Sequence, residues 1–219
     1  MSAPQPTTAQ TTPISYEGCI FVGLSLWGEI TGDSDAINPI INRFTLNTEI
    51  TQKLNIRDVI FEPNEEAAPN EPIYLRCRCD RTKPGSPWSL LAYGRPQSQR
   101  ISPDAVVRPV ALMQVSAGDV MAFASALGYR IRSDTIKEGY LFTKGSLTIH
   151  MFHPPQKTND TEVIDVDPDP ESNQAWNVDI RQYPVVSVKD TTVTEAIDNV
   201  LTFKLLMKGL LDLERKDVA

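Results

Sequence analysis

The sequence is short of the residues that carry most enzyme chemistry. In 219 residues it has three cysteines, Cys19, Cys77 and Cys79, and two histidines, His150 and His153. Three cysteines make a poor disulfide framework, so free thiols in a reducing compartment are expected. Two histidines three apart on a strand point to opposite faces, which is wrong for joint metal binding. They also leave a Ser/His or Cys/His site little to work with. No glycine-rich phosphate loop and no nucleophile-elbow pattern occurs. No apolar run approaches the roughly 18 residues of a membrane span. Residues 1–13, MSAPQPTTAQTTP, have neither a charged start nor an apolar run, so no signal peptide is expected and the segment reads as a disordered tail. Basic charge is scarce as well. With 21 Lys and Arg against 28 Asp and Glu the net charge is −7, which argues against a nucleic-acid surface.

What is present is an ordinary soluble composition, 41% apolar and 22% charged, on a chain long enough to bury a core without disulfide or metal staples. The most clearly patterned stretch is residues 72–96, PIYLRCRCDRTKPGSPWSLLAYGRP. Ile73, Leu75, Cys77 and Cys79 fall on one face of a strand; Tyr74, Arg76, Arg78 and Asp80 fall on the other. Trp88, Leu90 and Ala92 continue the alternation after a turn at Lys83–Pro87. The two cysteines read as buried small hydrophobes. Arg76, Arg78, Arg81 and Lys83 read as the solvated face of a half-buried sheet.

Around this hairpin the elements follow in order. Tyr16–Gly28 predicts a strand, with Gly18 and Gly23 as bends. Asp33 or Ser34 can cap a helix over Ala36–Leu46, with Ile37, Ile40, Ile41 and Phe44 at helical spacing and Pro39 near the first turn. Residues 51–62 are ambiguous, with Leu54, Ile56 and Phe61 consistent with an extended segment. Val106–Val115 predicts a strand that Pro109 places at an edge or bulge. Ser116 or Asp119 can cap a helix with Val120, Phe123, Ala124 and Leu127 on one face. A hairpin follows over residues 139–152, with Leu147, Ile149 and Met151 on one face and Thr148, His150 and Phe152 on the other. Residues 154–174 form an acidic insert, six acids against one lysine. Ala175–Val188 returns to strand pattern, and Thr192 with Glu195 caps a long apolar helix from Val193 to Leu213. The domain expectation is a tail over 1–13, one domain over 14–213 and a tail over 214–219.

The remaining constellations fail as sites. Asp165-x-Asp167-x-Asp169 resembles the start of a calcium loop, but its sixth position is Pro170 and its twelfth Trp176. Val163–Asp167 resembles a SUMO-interacting segment, against the plainer reading of a solvated loop. No residue is assigned a catalytic, cofactor-binding or metal-binding role, and no partner-binding residue is singled out.

The ordered set of motifs resembles the subunit 18 family of the Mediator coactivator complex. Tyr74-Leu75-Arg76-Cys77-Arg78 precedes a polar Gly/Pro turn, then Pro87-Trp88-x-Leu90 and Gly94-x-Pro96. Val107-Arg108-Pro109 precedes the Val120–Leu127 helix. That helix leads to Gly128-Tyr129-Arg130 and then to Gly139-Tyr140-Leu141-Phe142-x-Lys144-Gly145. The resemblance covers about residues 14–213 without the acidic insert. It implies an α+β fold, a closed and mostly antiparallel β-barrel with flanking helices, including a long C-terminal helix. It also implies a non-enzymatic subunit of the Mediator head, without cofactors and in the nucleus. Such a subunit pairs with subunit 20 and binds a C-terminal helix of subunit 8, in RNA polymerase II transcription. The rival is a tunnel-type triphosphate hydrolase on a similar barrel. Its chemistry needs alternating inward acids, starting from a Glu-x-Glu-x-Lys strand, whereas the first strand here carries Glu17 alone.

Overall fold

The computed structural model describes residues 15–32, 34–64, 73–154, 156–157, 175–182 and 193–216. In chain order the elements are β1 (Ser15–Ile30), α1 (Ser34–Asn47), β2 (Ile50–Pro63), β3 (Leu75–Asp80), β4 (Trp88–Tyr93) and β5 (Val106–Ala117). Then follow α2 (Val120–Ala126), β6 (Tyr129–Lys144), β7 (Leu147–Phe152), β8 (Gln156–Lys157), β9 (Trp176–Gln182) and α3 (Val193–Met207). The sheet order is β2-β3-β4-β5-β1-β9-β7-β6, and a β2–β6 ladder closes the ring into an eight-stranded antiparallel barrel. The ambiguous segment 51–62 is therefore a full wall strand. It pairs with β6 from Ile50–Thr143 to Pro63–Tyr129 and with β3 from Ile56–Asp80 to Phe61–Leu75. β8 adds two residue pairs to β6, Lys157 with Thr135 and Gln156 with Ile136.

The apolar core lies on the outside of the barrel wall, beneath the helices. Leu24, Leu26, Ile149, Met151, Val178 and Ile180 turn outward and are covered by α1 and α3. Phe44 of α1 stacks on Phe203 of α3 at 5.8 Å and meets Phe142 of β6 at 5.2 Å. A second core of Val59, Phe61, Leu75, Cys77, Leu90 and Val115 is covered by Val120 and Ala124 of α2. Leu127, expected on the buried face of α2, is exposed because the helix ends at Ala126. Asp119 is the cap: its side chain accepts from the N–H groups of Met121 at 2.9 Å and Ala122 at 3.1 Å. Asp119→Ala is expected to cost about 1 kcal/mol in chemical denaturation, and an unchanged midpoint would show the cap to be idle.

Two boundaries differ from the periodicity reading. α3 stops at Met207 rather than Leu213. Gly209 takes φ +85°, and beyond it the apolar period changes from helical to two, so Leu211 and Leu213 are buried from an extended segment. That segment docks on β1 through a reciprocal backbone pair between Trp27 and Glu214, at 2.9 and 2.8 Å. Pro109 is not on an edge strand, since β5 lies between β4 and β1. β4 has ended by Tyr93, opposite Val110, and there the Gly94 N–H donates to the Pro109 carbonyl at 2.8 Å. The proline therefore leaves no ladder bond unmade on that side. Its ring fills the space beside Gly94, where a Cβ would lie 2.5 Å from the proline Cγ.

Candidate functional site: the charged barrel interior

β3 shows how the interior is built. Its apolar parity, Leu75 and Cys77, faces the α2 core, as the alternation predicts. Its charged parity does not face water. Arg76 is 4% exposed and points into the barrel, with Arg78 beside it. The expected solvated face is thus corrected for these two residues, while Arg81 and Lys83 are exposed. Alternation records only that the two faces differ, and a charged barrel lumen alternates like a wet sheet. Cys77 is fully buried, and burial pushes its thiol up to about 12, which makes it inert. Cys79 is only partly buried, near the turn, where its thiol lies 3.6 Å from the Ser86 carbonyl.

The centre of the lumen is Asp58 of β2, 1% exposed. Register sets it opposite Arg78 of β3 and Thr135 of β6. The Nε atoms of Arg76 and Arg78 each lie 3.3 Å from its Oδ1, and Lys137 Nζ lies 2.7 Å from its Oδ2. Burial pushes the Asp58 carboxyl up, but Arg78, Arg76 and Lys137 together outweigh it and hold it well below the carboxylate range. Burial brings the Lys137 ammonium down to about 8 against the pull of Asp58.

A second group faces it across the barrel. Asp179 of β9 accepts from Arg181, Nε at 2.7 Å and Nη2 at 2.6 Å. Burial raises the Asp179 carboxyl, but Arg181 outweighs it and sets it at about 2. Arg181 Nη1 also donates to the Tyr93 hydroxyl at 2.6 Å. Three guanidinium carbons surround the Tyr93 ring: Arg76 at 5.7 Å, Arg108 at 5.4 Å and Arg181 at 5.8 Å from its centroid. Burial favours the neutral phenol, yet Arg181, Arg78 and Arg76 bring it down to about 8.

The histidines separate as expected. His150 sits on the lumen parity of β7, opposite Asp179 in register, and burial pushes its imidazole down to about 3. His153 lies beyond β7, its ring 3.7 Å from that of Trp176 on the outer core. Asp165, Asp167, Asp169 and the Val163–Asp167 segment lie outside the described residues, as do the side chains of Cys19 and Glu17. Among the described residues no group of three or more His, Cys, Asp and Glu is placed to hold a metal. Asp58 and Asp179 each turn to cations rather than to one another. Among the described residues the arrangement places no nucleophile beside a base. Asp58, Tyr93, Lys137, Asp179 and Arg181 escaped the sequence reading. The available signal was charge on one parity of strands whose other parity is apolar, as in Asp179 and Arg181 beside Trp176, Val178 and Ile180.

A family profile described as Med18 protein matches residues 38–218. No curated protein matches the sequence. Among solved structures, the chain is similar to one in the Schizosaccharomyces pombe Mediator head module, at 16% identity and TM-score 0.62, over 88% of this chain and 98% of that one. It is also similar to a putative adenylate cyclase from Vibrio parahaemolyticus, at 11% identity and TM-score 0.55, over 88% and 90% of the two chains. A third is HpAC1 from Hippeastrum, a putative adenylyl cyclase with a dominant triphosphatase activity, at 9% identity and TM-score 0.51, over 91% and 92%. At these identities the structural likenesses establish the barrel fold alone.

Proposed function

The chain belongs to the Med18 family, and from that premise we propose that it is a non-enzymatic assembly subunit of the Mediator head, acting in the nucleus in RNA polymerase II transcription. Within the head it pairs with subunit 20 and binds a C-terminal helix of subunit 8. The family match is the observation that carries this reading, because it spans the barrel from β2 onward together with α3. Two features of the surface support an assembly role. Leu46 at the end of α1 is 83% exposed and Leu205 on α3 is 69% exposed, although the other large apolar side chains of both helices are buried or partly buried. Large apolar side chains left in water on neighbouring elements are available to a partner.

The lumen supports the non-enzymatic part. A metal-dependent triphosphate hydrolase needs several carboxylates turned together toward divalent ions. Here the two buried lumen carboxylates among the described residues are each occupied by cationic side chains, Asp58 by three and Asp179 by one. The test is affinity purification of the tagged full chain from nuclear extract, alongside a phosphate-release assay with magnesium and manganese. Subunits 8 and 20 are expected among the companions, and no release from tripolyphosphate or a nucleoside triphosphate. Recovery without any Mediator protein would overturn the assembly role. Metal-dependent release that is lost on neutralising lumen charges would establish the hydrolase instead.

A further inference from the structure

One stretch of β6 runs past the strands that flank it. On one side β6 pairs with β2 from Tyr129 to Thr143. On the other side β7 takes Gly139–Lys144 and β8 takes Thr135 and Ile136. Among the described residues no strand pairs with that second side of Tyr129–Asp134. An antiparallel strand turns alternate N–H and C=O groups to its two sides, so this edge presents main-chain groups to a further strand. Edges of this kind invite strand addition, and proteins cover them. Ile131 beside the edge is 55% exposed. The chain itself arrives at this edge and runs along it. The His153 N–H donates to the Glu138 carbonyl at 3.2 Å, and Gln156 and Lys157 then pair with Ile136 and Thr135. Lys157 is the last described residue before 175, so the chain reaches it already aligned with the edge.

We propose that the Tyr129–Asp134 edge is a strand-addition site for the chain's own residues 158–163, with Asp160 against Arg132 and Glu162 against Arg130. The pairing follows from the register. Lys157 opposite Thr135 sets Asp160 opposite Arg132, Thr161 opposite Ile131, Glu162 opposite Arg130 and Val163 opposite Tyr129. On the β2 side the same two arginines meet Glu62, Arg130 Nε at 2.9 Å and Arg132 Nε at 3.9 Å. Acids on the far side complete an acid–arginine–acid order across three strands, and opposite charges facing each other across a ladder attract. Thr161 and Val163 are β-branched and suit a strand lying beside Ile131 and Tyr129. From Gln156 to Asp167 the sequence has neither glycine nor proline to interrupt pairing. A slip of one residue either way would set Asp160 against Ile131 or Ser133 and part both acids from their arginines, so charge fixes the register. The acidic insert thus begins as the cover of the barrel's own edge and denies that edge to other strands. This role does not depend on the assembly reading.

The test is NMR hydrogen exchange on the full chain. Alternate amides within 158–163 are expected to exchange about tenfold or more slowly than in an unstructured chain. In the wild-type chain, cross-strand nuclear Overhauser contacts should join Asp160 to Arg132 and Glu162 to Arg130. Asp160→Arg sets like charges opposite each other and should cut the protection about threefold or more. Arg132→Asp in the same chain reverses the pair and should recover it. Exchange at unstructured rates, contacts in another register, or protection indifferent to both charge changes would each overturn the proposal. Protection that rises with protein concentration would put a second copy of the chain on the edge, and would overturn it as well.

Discussion

Asp58→Asn should destabilise the chain by about 3–5 kcal/mol, although it changes few atoms and leaves the outer core intact. The wild-type carboxylate partners Arg76, Arg78 and Lys137 at once. An amide carries no charge to offset the cations that meet it, and part of their desolvation cost then goes uncompensated. Denaturant unfolding of both proteins at pH 7 measures the difference. A loss under about 1 kcal/mol would mean that the lumen is wetter than its burial indicates. The double variant Asp58→Asn, Lys137→Met should recover part of the loss, since it removes one stranded charge, and the cycle isolates the Asp58–Lys137 coupling. Simple additivity of the two substitutions would remove Asp58 from the centre of the network.

Local chemistry made many of the elements legible. Helical spacing at Ile37, Ile40 and Phe44 marks the face of α1 that packs on Phe142 and Phe203. The 139–152 hairpin appears in the register its turn dictates, from Gly139–Phe152 to Lys144–Leu147. The family resemblance supplied closure of the barrel, which no local pattern contains. The β2–β6 ladder joins segments some 80 residues apart, and β2 itself, with Lys53, Arg57 and Asp58 among its apolar residues, gives an uneven alternation. The charged lumen was hidden for a related reason. The parity of Arg76 and Arg78 was clear from the sequence, but whether that parity meets water or the opposite barrel wall depends on which strands complete the ring. Arg78 and Lys137 become partners of Asp58 only through the β3–β2–β6 register.

The interior also makes stability fall in acid, and magnitudes assign the first part of that fall to His150. Burial holds its imidazole at about 3 in the folded chain, against an ordinary value near 6.5 once unfolded. The groups facing it are Asp179 and Arg181 on β9, Arg78 on β3 and Lys137 on β6; Arg181 neutralises Asp179, which therefore does little to rescue the imidazolium. A group whose folded value is depressed binds its proton preferentially in the unfolded chain. Its stabilisation is complete above pH 6.5 and is lost as pH falls toward 3. Between pH 7 and pH 4 this amounts to about 3 kcal/mol. Asp58 and Asp179 are depressed too, but their unfolded values lie near 4, so each adds only a few tenths over that interval and dominates below it. Denaturant unfolding of wild type and His150→Gln at pH 7 and pH 4 separates the contributions. The wild type should lose about 3 kcal/mol more than the variant, whatever the variant's stability at pH 7. Equal losses in the two proteins would place His150 in contact with water or with an unneutralised Asp179, and would require a different packing of β7 against β9.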